Sequence, residues 1–160
     1  MLMPDIYIDS VLHITLDMLK KLDVFAIILD VDNTIRRYKE IELLDGVLNW
    51  IDGLKSSGFK IVIVSNNIRK KVEPVAKLLD VPYISLGFKP LPIGFNRAFK
   101  KFGFKKEKIV VVGDQFFTDI IGAKIKGFKT ILVHPIKQEK GFFWSLRRNL
   151  EKKILKRIMK

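Results

Sequence analysis

The chain has 160 residues, no cysteine and a formal net charge of +13, from 30 Lys/Arg against 17 Asp/Glu. Its length fits one domain with a sizeable core, and the lack of cysteine excludes disulfide staples, thiol nucleophiles and cysteine metal sites. No apolar run approaches the roughly 20 residues of a membrane span, and Asp5, Asp9 and Asp17 interrupt the apolar residues of the amino terminus, against a signal peptide.

These features predict a cytoplasmic protein, soluble or peripheral on the inner face of a membrane. The charge calls for an anionic partner, whether nucleic acid, membrane or substrate. It is unevenly spread: from Pro135 to Lys160 nine Lys/Arg stand against Glu139 and Glu151, leaving +7 in the last 26 residues.

Residues 1–23 read as a lead-in segment that enters an amphipathic helix at Leu16–Leu22. Four apolar, β-branched runs follow, at 24–29, Ile61–Val64, Ile109–Val112 and Thr130–Val133. None alternates with polar residues, which is how strands buried on both faces of a parallel sheet read. A fifth short strand is expected at Pro82–Leu86.

Between the strands, Asp45–Lys55 places Val47, Leu48, Ile51 and Leu54 at helical spacing before Gly58. Ile68–Leu79 repeats the pattern, although Pro74 should interrupt its hydrogen-bond ladder unless it lies in the first turn. Pro92–Phe102 opens on a proline and stops at Gly103, and Phe116–Lys126 stops at Gly127. The alternation predicts an α/β domain over residues 1–135, a three-layer Rossmann-like fold on a central parallel sheet, followed by a separate basic helix at 136–160.

In such sheets function gathers at the carboxyl ends of the strands. There the chain carries Asp30-Val31-Asp32-Asn33-Thr34, then Ser65-Asn66-Asn67, then Lys89-Pro90, then Gly113-Asp114 with Asp119 five residues on. Two carboxylates closing a buried strand need a cation or strong donors beside them, and a metal ion meets that need. Taken singly, Ser65-Asn66-Asn67 is equally an ordinary turn and cap, Lys89 a solvated lysine, and Asp119 a structural acceptor. His13 and His134 lack partners at ligand spacing and read as structural.

The ordered set resembles the haloacid dehalogenase superfamily of phosphohydrolases. Asp30 to Thr34 matches its D-x-D-x-T motif, Ser65 its phosphate-binding hydroxyl, Lys89 its lysine, and Gly113 to Asp119 its G-D-x4-D form. The resemblance implies that Asp30 attacks phosphorus and forms an aspartyl-phosphate, while Asp32 serves as general acid and base. It also implies Mg2+ held by Asp30, Asp114 and the main-chain carbonyl of Asp32, with Asp119 at the metal or behind it. Thr34, Ser65, Asn66 and Lys89 would surround the phosphate.

Neither Thr34–Ile61 nor Ser65–Lys89 has room for an inserted cap domain, so a capless, open site is expected. Leu29 to Thr34, Val64 to Asn67, Lys89-Pro90, Gly113 to Asp119 and Gly141-Phe142-Phe143 are similar to the IIIA-type branch related to phosphatidylglycerophosphate phosphatase. That similarity implies an anionic phospholipid substrate.

In the tail, Phe143, Leu146, Leu150, Ile154 and Ile158 recur at helical spacing among lysines and arginines. This pattern suits an interfacial helix, so residues 142–160 are expected to bind an anionic membrane surface, at about 1 kcal/mol per basic residue. The competing, less favoured reading packs the stripe on the sheet and leaves the lysines in water. Phosphatase action on nucleic-acid ends or another bulky phosphate ester, and a non-catalytic membrane-recruited scaffold, remain the competing functions.

Overall fold

A computed structural model describes residues 2–137 together with 145, 148, 149, 152, 153 and 156. Six strands form one sheet: β1 (Ile6–Ile8), β2 (Ala26–Leu29), β3 (Lys60–Val64), β4 (Tyr83–Ile84), β5 (Ile109–Gly113) and β6 (Lys129–Val133). All pairs are parallel, in the order β1-β6-β5-β2-β3-β4. Helices α1 (Leu16–Lys21), α2 (Val47–Ser56), α3 (Arg69–Leu79), α4 (Pro92–Phe102) and α5 (Gly122–Ile125) cover its faces.

The unbroken apolar runs have a direct cause. Successive strand residues point to opposite faces, and each face here carries a core. Ile27 and Leu29 of β2 join Ile61, Ile63, Val110, Val112, Ile131 and Val133 on one side, packed with α2 and α3. Ala26 and Ile28 join Val62, Val64, Ile109 and Val111 on the other, packed with Phe95, Ala98 and Phe102 of α4. A polar residue on either face of β2 would be buried without a partner. The central strand therefore delivers Asp30 rigidly to its end.

Three expectations need correcting. Residues 6–8 are an edge strand rather than lead-in chain, with Ile6, Tyr7 and Ile8 opposite Ile131, Leu132 and Val133; three residues at a half-exposed edge leave too short a pattern to read. Pro74 lies in the middle of α3, yet the helix continues through it; the missing N–H removes one bond, and buried Val72, Val75, Ala76 and Leu79 hold the turn. The segment after Gly113 is not a plain α-helix, since Phe116–Ile121 is π-wound before α5 begins.

Of the tail expected at 136–160, Ser145, Arg148, Asn149, Lys152, Lys153 and Lys156 are helical. Its apolar stripe and aromatics at 142–144, 146, 150, 154 and 158 lie outside the described residues. Among the described residues no helix is long and apolar enough to cross a membrane, and no inserted domain stands over the carboxyl ends of the strands.

Ile28 is fully buried at the centre of the sheet. Ile28→Ala is expected to cost about 2–5 kcal/mol in equilibrium unfolding, because neighbouring strands cannot collapse into the space.

Candidate active site

Every polar residue picked out from the sequence lies at one end of the sheet. Asp30 leaves β2 with its main-chain N–H bonded to Val112 O of β5 at 2.9 Å. Its Oδ2 accepts from Thr34 Oγ1 at 3.2 Å and its Oδ1 from Lys89 Nζ at 2.6 Å. Thr34 is buried against the Asp30 carboxylate and is not among the cleft's lining residues. Asn33, in the left-handed conformation that asparagine tolerates (φ 60°), accepts from Tyr38 N and Lys137 N. It anchors the turn to the chain leaving β6.

Lys89 is the buried cation of the site. Its Nζ donates to Asp30 Oδ1 and to Asp119 Oδ1, each at 2.6 Å. Asn66 clamps its main chain, accepting from Lys89 N at 2.7 Å and donating to Lys89 O at 2.9 Å. The oxygen and one N–H of the Asn66 amide thereby position the lysine. The Lys89–Pro90 peptide is cis.

Asp119 reaches Lys89 because the chain around it is unusually close. The π-wound turn brings its Oδ2 back to accept from Gln115 N at 3.0 Å, a distortion common at functional sites. A side chain at Gly113 would collide with the Asp119 carboxylate, so this position admits only glycine.

Asp30, Asp114 and Asp119 each bring a carboxylate oxygen within 4.8 Å of the others, and all three are buried. Asp114 is the only one with an oxygen, Oδ1, that takes no hydrogen bond; Arg148 holds the other, Nη2 to Oδ2 at 2.7 Å, and also bonds Asp114 O at 3.2 Å. Among the described residues three carboxylates thus face two cations, Lys89 and Arg148. Burial is the main cause that pushes the Asp30 carboxyl up to about 7, with Asp119 and Asp32 adding to it and Lys89 opposing.

Asp114 is raised well above the ordinary carboxylate range by burial, then by Asp30 and Asp119, against Arg148. For Lys89 burial works downward, but Asp119 and Asp30 outweigh it and the net shift is up. Both members of the Asp30–Lys89 pair move up, because burial outweighs the lysine at Asp30 and the two acids outweigh burial at Lys89. An all-oxygen cluster with surplus negative charge and an unpartnered buried oxygen fits a hard divalent cation.

Asp32 stands apart from that cluster and has its own partners. Arg36 Nε donates to its Oδ1 at 2.9 Å and Asn67 Nδ2 to its Oδ2 at 3.1 Å. Arg36 is itself buried and donates to Lys71 O at 3.3 Å. The cleft that Asp30 and Asp32 share has a volume of about 330 Å³ and is also lined by Tyr38, Ser65, Asn66, Asn67, Lys71, Lys89, Gln115 and Thr118. Ser65 Oγ caps the turn into α3, accepting from Asn67 N at 3.1 Å.

The sequence singles out neither Arg36 nor Arg148, and it names Asn67 within Ser65-Asn66-Asn67 without a role. Arg36 has a legible signal, a four-residue spacing from Asp32. Arg148 has none, being 34 residues from Asp114 in a helix whose other basic residues look the same.

The haloacid dehalogenase-like hydrolase family model matches residues 7–125. The chain is 37% identical over 153 residues to the probable phosphatase YqeG of Bacillus subtilis, covering 96% of this chain and 89% of that one. It is 26% identical over 171 residues to phosphatidylglycerophosphate phosphatase 1 of Arabidopsis thaliana, covering 99% of this chain but 48% of the relative, so it spans about half of that protein. A magnesium-bound structure of the putative hydrolase YfnB from Bacillus subtilis shares the fold, with a TM-score of 0.53 and 23% identity over 64% of this chain and 49% of that one.

A Rossmann-like α/β fold with a buried acid cluster and a lysine between two of its acids is what the site defines. The chain belongs to the haloacid dehalogenase-like hydrolases, and its enzymatic type is that of a phosphatase.

Two outcomes follow from the electrostatics. With Asp30 at about 7 in the folded protein and 3.8 as its ordinary value, the metal-free native state keeps a proton that the unfolded chain has released between those values. Stability in EDTA should therefore fall as pH rises from 5 to 7.5, and stabilisation by added divalent cation should grow over the same range. Urea unfolding at both pH values tests this, and EDTA stability that rises with pH would refute it.

Arg148 holds Asp114 Oδ2 and opposes the rise that burial and the neighbouring acids impose on that carboxyl. Arg148→Ala should accordingly weaken Mg2+ binding, measured by calorimetry, by roughly 10-fold or more. Tighter binding would instead show that the guanidinium competes with the metal.

Proposed function

We propose that the protein is a Mg2+-dependent phosphomonoesterase that works through an aspartyl-phosphate on Asp30 and acts on phosphatidylglycerophosphate at a membrane surface. The observation that carries the reaction is Asp30 itself: its carboxylate is fixed by Thr34 and Lys89 at the floor of an open cleft, beside the unpartnered oxygen of Asp114.

In the first displacement an Asp30 carboxylate oxygen bonds to phosphorus as the phosphorus–oxygen bond to the alcohol breaks. Asp32, held by Arg36 and Asn67, gives the departing oxygen its proton. In the second, Asp32 takes a proton from water as that water's oxygen bonds to phosphorus, and the acyl-phosphate bond to Asp30 breaks to free inorganic phosphate.

Lys89 neutralises charge on Asp30 and on the transferring group, and Asp119 holds Lys89 in place. Ser65 and Asn66 line the floor that takes the phosphate oxygens. Mg2+ held by Asp30, Asp114 and the Asp32 carbonyl would supply further charge neutralisation.

The lipid substrate is supported by the similarity to the Arabidopsis enzyme along the whole of this chain, by the cleft's openness, and by the +13 charge. A capless site suits a phosphate presented on a surface better than a small metabolite that must be enclosed.

Phosphate release from phosphatidylglycerophosphate in mixed micelles tests the reading. Wild type should turn it over with added Mg2+, and Asp30→Asn should fall to background. Far faster turnover of soluble sugar phosphates would reject the lipid assignment, and steeply salt-dependent binding to DNA or RNA ends would favour a nucleic-acid phosphatase.

A further inference from the structure

We propose that the rim of the cleft formed by residues 65–71 and 86–93 is a docking surface that seats on an anionic phospholipid bilayer. The choice of bilayer deepens the lipid reading above and rests on it; the surface itself is read from exposure, backbone conformation and charge.

Ile68, Leu86, Phe88, Leu91 and Ile93 lie in these two stretches, and each is between 44% and 54% exposed. They border the site directly. Leu86 N bonds to Asn67 O at 2.9 Å, Gly87 N to Ser65 O at 2.9 Å, and Leu91 N to Phe88 O at 2.8 Å. Ile68 follows Asn67, and Phe88 precedes Lys89, both cleft residues.

Leu86 and Phe88 are also in the left-handed region, with φ of 47° and 53°. Bulky side chains seldom adopt it, and asparagine or glycine would fit at less cost. Core packing does not compensate for that cost, since neither side chain belongs to the core and each is about half exposed. Two strained positions that carry large apolar groups outward beside a catalytic cleft point to an apolar phase that receives them.

Charge supplies the rest. The two stretches contain Arg69, Lys70, Lys71 and Lys89 and not one acid. Lys89 is spent inside the site, and Arg69 pairs with Glu73, but Lys70 and Lys71 are exposed and Lys71 lines the cleft. Apolar groups at insertion depth with lysines at headgroup level match a bilayer carrying anionic lipid. Seated this way, the cleft faces the headgroups and takes a phosphate from the surface without extracting the lipid.

The test uses the full chain with Leu86→Asn and Phe88→Asn combined. Asparagine relieves the backbone, so the double variant should be at least as stable as wild type in thermal unfolding. Wild type should sediment with phosphatidylglycerol-containing vesicles and not with phosphatidylcholine alone. The double variant should bind at least tenfold more weakly, yet hydrolyse soluble p-nitrophenyl phosphate at an unchanged rate.

Phe88→Trp should shift its emission to the blue on anionic vesicles. Wild-type failure to bind anionic vesicles, or undiminished binding by the double variant, would overturn the surface. Vesicle binding lost in the double variant with no lipid phosphate released by wild type would uphold the surface and remove the substrate. Lipid turnover in micelles with undiminished vesicle binding by the double variant would do the reverse.

Discussion

A buried lysine between two aspartates is the interaction on which the site depends. Lys89 can be charged at the end of the sheet only because Asp30 and Asp119 both reach it at 2.6 Å, and those acids are tolerable there only because of Lys89. Breaking a buried ion pair by removing one partner typically costs about 3–5 kcal/mol. Much of the local chain serves this contact. Asn66 fixes the lysine's main chain, the π-wound turn lowers Asp119 toward it, and Gly113 leaves the space that Asp119 occupies.

The two carboxylates of the first motif are two residues apart and live in different surroundings. Asp30 belongs to a crowded, buried acid cluster with a lysine beside it. Asp32 lies on the cleft wall, with its own arginine and amide as donors. In the proposed reaction these separate partners would let one acid bond to phosphorus while its neighbour moves a proton, a division of labour set by environment rather than by residue type.

Much of this was legible in the sequence because it is a matter of local order. Strands buried on both faces must be continuously apolar, so β2, β3, β5 and β6 could be read, with the acids, serine and lysine at their ends. β1 was not legible, because three residues at an edge carry too little pattern.

The π winding after Gly113 was not legible either, since it follows from a side-chain contact between Asp119 and the Gln115 main chain. The places of Thr34 and Asn66 near Asp30 and Ser65 are visible in the sequence, but not the direction of their side chains. Thr34 turns beneath Asp30, and Asn66 embraces the Lys89 backbone. Arg148 lay beyond sequence reasoning, because only the folded chain distinguishes it from its basic neighbours.

The bond between Arg148 and Asp114 has a consequence in time as well as in space. Asp114 takes its place when β5 joins the sheet, whereas the guanidinium that offsets its buried charge is synthesised 34 residues later. During synthesis the acid cluster is therefore complete in carboxylates before it is complete in cations. A segment well downstream of β6 closes the electrostatic balance of a centre whose other residues all precede it in the chain.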